Sequence, residues 1–243
     1  MPLRTNFSRF KEPRGFIKVI QFVIAIFAFS TTAGYNSEYT VSLPCQPSTS
    51  GPNQHITVTF RYSFSVIDIN TKCPSFPDTD DLPSRLKSSS EFFVFVGVIS
   101  FLYCIIAMVY YICFEDPAKY GPGGTGRALI SFSTLDFGVT ILLTLFWFCA
   151  SAAWAAGITK LKDETDAEKY CKLLVKCSVT DKANYAGLII SVLFGFLSCF
   201  LWGANVWFVF KETIWHKEPG ATTTAEQPQV EIPRQEVPGE PMP

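Results

Sequence analysis

The residues of this chain that could do chemistry are its cysteines, its two histidines and a few adjacent carboxylates. Four of the 8 Cys, namely Cys45, Cys73, Cys171 and Cys177, fall in polar connecting segments, where thiolates either bind metal or oxidise to disulfides. No His or further Cys lies near Cys171 and Cys177 in the sequence to complete four ligands, which favours oxidation over a zinc site. His55 and His216 have three long apolar runs between them, so no Ser/His/Asp or Cys/His arrangement can unite them. Asp80-Asp81 and Asp163-Glu164 stand among polar residues and read as surface charge. Gly121-Pro122-Gly123-Gly124-Thr125-Gly126 looks like a phosphate-cradling loop only superficially, since it follows an apolar run rather than a strand and lacks the Gly-Lys-Ser/Thr ending. These residues point away from an enzyme, and no cofactor or metal is expected.

The elements that hold them are apolar. Of 243 residues, 48% are hydrophobic and 15% aromatic, with 23 Phe. The apolar residues gather in runs about as long as a bilayer core is thick, roughly 20 residues each. The first, 16–34, has Lys18 and Gln21 near its entrance, where a long side chain can snorkel to the headgroups. The second, 92–114, stops against Glu115-Asp116-Pro117. The third, 135–158, opens with Asp136, expected as a cap on the exposed N–H groups of a helix start. The fourth, 185–210, is interrupted only by Asn205. At these lengths helices satisfy their own backbone inside lipid, so the expected fold is an all-α membrane protein, a four-transmembrane-helix bundle. Net charge is −1, with no concentrated basic field, which excludes nucleic acid as a natural partner.

The chain therefore divides into a short N-terminus over 1–15, a membrane domain over 16–210 and a tail over 211–243, whose prolines and scattered Glu and Thr predict disorder. Loop 35–91 contains an alternating stretch, His55 to Asp68, with Ile56, Val58, Phe60, Tyr62, Phe64 and Val66 on one face. Tyr39, Val41 and Leu43 alternate likewise, so a small disulfide-stapled β element above the membrane is expected. Loop 159–184 is charged and lacks that alternation.

Lys and Arg are divided evenly between the two sides, but Arg4, Arg9, Lys11, Arg14 and Lys18 cluster before the first helix and place the N-terminus in the cytosol. All four loop cysteines then lie on the opposite side with both termini cytosolic, as expected of disulfides formed in a secretory lumen. Four Cys allow three connectivities, and one bridge within each loop is favoured. A Cys45–Cys73 closure would stabilise its loop by about 3 to 4 kcal/mol on the chain-entropy view. The first run is also compatible with a cleaved signal peptide, given its basic leader and the small residues Thr31-Thr32-Ala33.

Ordered segments carry a family resemblance. They are Lys11-Glu12-Pro13-Arg14-Gly15-Phe16-Ile17-Lys18-Val19, then Ala25-Ile26-Phe27-Ala28-Phe29, Ser88-Ser89-Ser90-Glu91-Phe92-Phe93, Leu135-Asp136-Phe137, Ser151-Ala152-Ala153-Trp154-Ala155, Phe194-Gly195-Phe196-Leu197, Leu201-Trp202-Gly203 and Trp207-Phe208-Val209-Phe210-Lys211-Glu212-Thr213. In order and spacing, over roughly 11–213, they resemble the synaptophysin family, close to its synaptophysin and pantophysin members. The resemblance implies a MARVEL-type tetraspan of synaptic or other small transport vesicles, whose relatives oligomerise, associate with cholesterol and bind the vesicle SNARE synaptobrevin. It also implies retention of the first helix and a bridge within each lumenal loop. Two departures stand out: neither lumenal loop contains an Asn-X-Ser/Thr sequon, and the tail lacks Tyr-Gly repeats.

Helices meet in lipid at small residues, where backbones approach closely. Ser191, Gly195, Cys199 and Gly203, spaced by four, form such a groove, and Asn205 adds a group able to hydrogen-bond across helices. The third helix offers Ser151 to Gly157. The groove reads either as a docking face for a partner helix, such as that of synaptobrevin or of a second copy, or as packing within the bundle. Trp154 and Trp215 are expected as anchors in the headgroup belts, and Cys113 reads as a buried inert thiol ahead of the alternative, an acyl acceptor. A vesicle-membrane organiser is the expected function. A channel or transporter would need ionisable residues at mid-membrane, and a junctional adhesion tetraspan would act at cell contacts.

Overall fold

A computed structural model describes residues 13–44, 53–70, 79–82, 84–113, 126–173 and 177–211. Cys45, Cys73, Trp215, His216, most of the glycine-rich turn and nearly all of the tail lie outside them. The side chain of Cys113, the last residue of its helix, is also outside the description.

Four helices carry the apolar runs: α1 (Pro13–Ala33), α2 (Ser84–Cys113), α3 (Gly126–Glu164) and α5 (Ala186–Phe210). Each is long and apolar enough to cross a bilayer. Pro13 suits the first turn of α1, where its missing N–H costs nothing. Gly34 closes that helix by donating its N–H to Ser30 O at 2.9 Å. Two helices outrun their apolar segments: α2 begins at Ser84 rather than Phe92, and α3 spans Gly126–Glu164 rather than 135–158. Hydropathy marks the part of a helix that lies in hydrocarbon; backbone hydrogen bonding continues into the polar layers beyond it.

The helices form a closed ring in which α1 packs on α2 and α5, and α3 packs on the same two, so α1 and α3 face each other across the axis. The buried positions of α5 are Leu188, Ser191, Gly195, Ser198, Trp202, Asn205 and Val209. Their alternating steps of three and four are the seam of a left-handed bundle. On α1, Lys18, Gln21, Ala25, Ala28 and Thr32 repeat the pattern. Polarity is inverted relative to a water-soluble bundle. Phe200 on the outer face is 71% exposed, whereas Asn205 on the inner face is 1% exposed. Such a surface is stable only against hydrocarbon.

One end of the ring is capped by an antiparallel sheet in the order β4-β3-β2-β1-β5. Its strands are β1 (Asn36–Pro44), β2 (Asn53–Arg61), β3 (Val66–Asn70), β4 (Thr79–Asp81) and β5 (Ser178–Asp181). As expected, Tyr39, Val41 and Leu43 of β1 and Ile56, Val58 and Phe60 of β2 are buried together. The stretch from His55 to Asp68, expected as one strand, instead folds back between Arg61 and Val66. Phe64, at φ 60°, occupies the left-handed region there, and its ring is fully buried. The turn resets the alternation, so Ile67 is buried at 6% exposure while Val66 is 37% exposed.

The second connection, which lacked strand periodicity, supplies a short helix, α4 (Ala167–Leu173), and strand β5, which pairs with the free edge of β1. Four residues are too few to display a period of two; the β1 template selects them. The Cys171–Cys177 disulfide ties α4 to the start of β5 with Cα atoms 5.0 Å apart, one bridge within this loop.

Sheet and bundle share one core. Phe64 packs on Trp154 of α3 at 5.3 Å between ring centroids, and Phe60 on Tyr185 at 6.0 Å. Tyr35, just past α1, donates its hydroxyl to Asn184 O at 2.6 Å, joining the exit of α1 to the entrance of α5. Burial pushes the Tyr35 phenol up to about 12 from an ordinary 10.0. A raised folded value means the contribution to stability is complete below pH 10.0 and is lost as pH rises through about 12. The Tyr35→Phe variant is therefore predicted to lower unfolding stability in detergent by about 1–2 kcal/mol. The deficit should be constant from neutral pH to about 9 and shrink above the ordinary phenol value. A deficit that grows with alkalinity would contradict this assignment.

Candidate functional site

The centre of the bundle is built from residues that sequence patterning placed at its surface. Lys18 on α1 extends its ammonium across the axis to Asp136 on the opposite helix α3, with Nζ 3.1 Å from Oδ1. Both side chains are 1% exposed. Tyr103 of α2 donates its hydroxyl to the same carboxylate oxygen, and Thr140, one turn along α3, lies 3.5 Å from it. The Lys18 ammonium also sits 4.9 Å from the ring centroids of Tyr103 and of Trp202 on α5. Each of the four helices thus contributes one member: a cation, a hydroxyl-bearing ring, an anion and an indole face.

Two expectations are corrected here. Asp136 does not cap a helix start, because α3 begins at Gly126 and the N–H groups around Asp136 are already paired along the helix. Lys18 does not snorkel to the headgroups, because it lies on the inward stripe of α1 and its stem leads to the axis. Lys18 lies about 22 Å along α1 from its sheet end, by helix rise, so the pair occupies the third of the bundle remote from the sheet.

Either charge alone would be costly in hydrocarbon. Together they are neutral, and the ring faces and hydroxyls replace the water each has lost. Towards the sheet the axis continues in closed pairs. Trp147 donates its indole N–H to Ser100 at 2.9 Å, and Trp154 donates to Ser191 at 3.2 Å.

Trp154, expected as an interface anchor, is fully buried. It sits two turns from Trp147 on the inward stripe of a helix that runs on to Glu164, and the sheet covers it. An aromatic with an anchor's exposure occurs elsewhere: Trp207, near the end of α5, is 59% exposed, with the Lys211 ammonium 5.2 Å from its ring. A Trp four residues before the Lys that ends the apolar run was the available signal.

The small-residue column of α5 faces helices of its own chain. A Cβ placed on Gly195 would collide with Ser151 Oγ of α3 and come within 2.7 Å of Phe93 of α2. Cys199 directs its Sγ to Thr144 O at 3.7 Å, and a Cβ on Gly203 would reach Thr144 at 3.8 Å. Ser191 belongs to the Trp154 pair. Asn205 faces the axis, but neither atom of its amide has a hydrogen-bond partner among the described residues, so the expected cross-helix bond is not made. Among the described residues no three His, Cys, Asp or Glu side chains are placed to share a metal. His55 is exposed on β2.

An apolar exterior, a polar axis and four spanning helices define an integral membrane protein of the tetraspan class. The family described as MARVEL, membrane-associating domain, matches residues 9–208. The chain belongs to that family, and its ring of four apolar helices is consistent with a MARVEL tetraspan.

The ion pair makes a non-additive prediction. Asp136→Asn or Lys18→Met alone should each lower thermal stability in detergent by about 3–5 kcal/mol, because each strands a buried charge. The double variant Lys18→Met/Asp136→Asn should lose less than the sum of the two single changes. Additive losses would show that the two residues do not meet.

Proposed function

We propose that this tetraspan organises the membrane of synaptic or other small transport vesicles, oligomerises there, and holds a synaptobrevin-type SNARE during trafficking and exocytosis. The observation that carries the reading is the division of surfaces in the bundle. The interior is occupied by its own side chains, including the fully buried Trp147, Trp154 and Trp202. What the protein offers to others is an apolar flank bearing Phe95, Leu145 and Phe200, and a polar sheet at one end. A molecule of this design works by lateral contact within the bilayer. The MARVEL match over 9–208 supports membrane association, and the ordered resemblance to the synaptophysin family favours vesicles over other membranes. Cholesterol, as a rigid apolar neighbour, suits the same flank.

On this reading both termini are cytosolic and the sheet is lumenal. The Cys171–Cys177 disulfide supports that orientation, since such bonds persist where glutathione does not reduce them. A transporter is the second reading, because charges inside a membrane domain often mark a transport path. Here Lys18 and Asp136 neutralise each other, and the ammonium rests against the neighbouring Tyr103 and Trp202 rings, which suits a structural pair better than a moving one.

Three measurements check the proposal. The chain should stay in the membrane through alkaline carbonate, and tags at both ends of intact vesicles should be digested by added protease. Immuno-isolated small vesicles should contain it together with a SNARE that crosslinks to a photoreactive group at Phe200. Tags protected at one end, or recovery with cell-contact membranes instead of small vesicles, would overturn the assignment; ion flux in a planar bilayer would support the transporter.

A further inference from the structure

Beside the ion pair lies a second polar cluster that shares with it only the ring of Trp202. The inward stripe of α5 carries Ser198, Trp202 and Asn205 in steps of four and three, which stacks them on one face over two turns. Gln21 of α1 is laid against the same stretch, its Nε2 donating to Leu201 O at 3.2 Å. Lys18, one turn away on α1, touches the Trp202 ring face and so joins this cluster to the pair. The four side chains are 0–2% exposed. Among the described residues, Gln21 Oε1, Ser198 Oγ, Trp202 Nε1, Asn205 Oδ1 and Asn205 Nδ2 have no hydrogen-bond partner. Thr32 and Ser151 also hold unpaired hydroxyls, but nearer the sheet and apart from this group.

A buried polar atom left unpaired is destabilising by about 1–3 kcal/mol, and lipid outside the bundle offers no partner. Several such atoms on facing stripes of two adjacent helices have the character of a binding site. Its chemistry is mixed. Trp202 Nε1 can only donate, Gln21 Oε1 can only accept, and Ser198 and Asn205 do both. A cation would meet the Trp202 N–H and the Lys18 ammonium; an anion would meet Gln21 Oε1 and Asp136. The ligand that fits is neutral, small, and both donor and acceptor.

We propose that the half of the bundle remote from the sheet holds ordered water between α1 and α5, bonded to Gln21, Ser198, Trp202 and Asn205 and hydrating the Lys18–Asp136 pair from one side. The water ends where the Trp147–Ser100 and Trp154–Ser191 pairs satisfy each other, so it forms a pocket and not a pore.

The full chain in deuterated-lipid bilayers tests this by solid-state NMR with magnetisation transferred from water. The Trp202 indole N–H, assigned by its loss in Trp202→Phe, and the Asn205 amide should receive that magnetisation. The Trp147 and Trp154 indoles should stay dark. A Trp202 signal as dark as that of Trp147, or one fed from residual lipid protons instead of water, would overturn the proposal. Asn205→Leu gives a second readout, since it removes two partners from a hydrated cluster but two unpaired atoms from a dry one. A lower Tm with a dimmed Trp202 signal is expected, and a higher Tm would contradict hydration. The wild-type NMR arm decides the question even if that variant does not fold.

Discussion

An ammonium ion inside hydrocarbon has to be neutralised within hydrogen-bonding distance, and this constraint organises the bundle. Lys18 can meet Asp136 only if α1 and α3 stand diagonally across a common axis with their heptad stripes in register. Tyr103 and Trp202 can face the ammonium only if α2 and α5 close the ring between them. Apolar helices in lipid have little reason to prefer one neighbour or rotation over another, since lipid tails are as apolar as leucine. A single charged pair with four contributors supplies that preference. Replacing such a pair by apolar residues can even be stabilising, so its value lies in selecting one arrangement among many.

The sheet is a second, independent constraint at the other end. Tyr35 and Asn184 bring the exit of α1 to the entrance of α5, while β5 pairs with β1 and binds the two connections into one cap. Phe64 and Trp154 then continue the aromatic core from the cap into the bundle. Between the two ends the helices are held by close packing at small residues, of which Gly195 against Ser151 and Phe93 is the tightest described. The column of Ser191, Gly195, Cys199 and Gly203 has been taken up by that packing. What remains exposed on the described residues is the apolar flank and the outer parts of the sheet.

Much of this was legible in the sequence, and the reasons for the rest are physical. Bilayer thickness writes itself into the length of apolar runs, so the four spanning helices and the alternating β1 and β2 could be read directly. The ion pair could not, because Lys18 and Asp136 each stood at the margin of an apolar run, where snorkelling and capping are the ordinary fates of a charge. Only the three-and-four stepping of the buried positions, as in Lys18, Gln21, Ala25 and Ala28, signalled that both point inward. Trp154 was misplaced for the same reason: position along a helix was legible, but rotation about its axis was not. Strand β5 and the turn at Phe64 depend on tertiary pairing and on one left-handed residue, and neither leaves a periodic trace.

The most direct measurement of the central claim is the distance between the Lys18 side-chain nitrogen and the Asp136 carboxyl carbon, by rotational-echo solid-state NMR on selectively labelled protein in bilayers. The structure predicts strong dipolar dephasing of the Lys18 nitrogen, because its Nζ lies 3.1 Å from an oxygen of that carboxylate. The signal should vanish in Asp136→Asn carrying the same labels elsewhere. A Lys18 nitrogen that shows no coupling to Asp136 and exchanges freely with bulk water would place the ammonium at the headgroups, and would contradict the bundle arrangement described above.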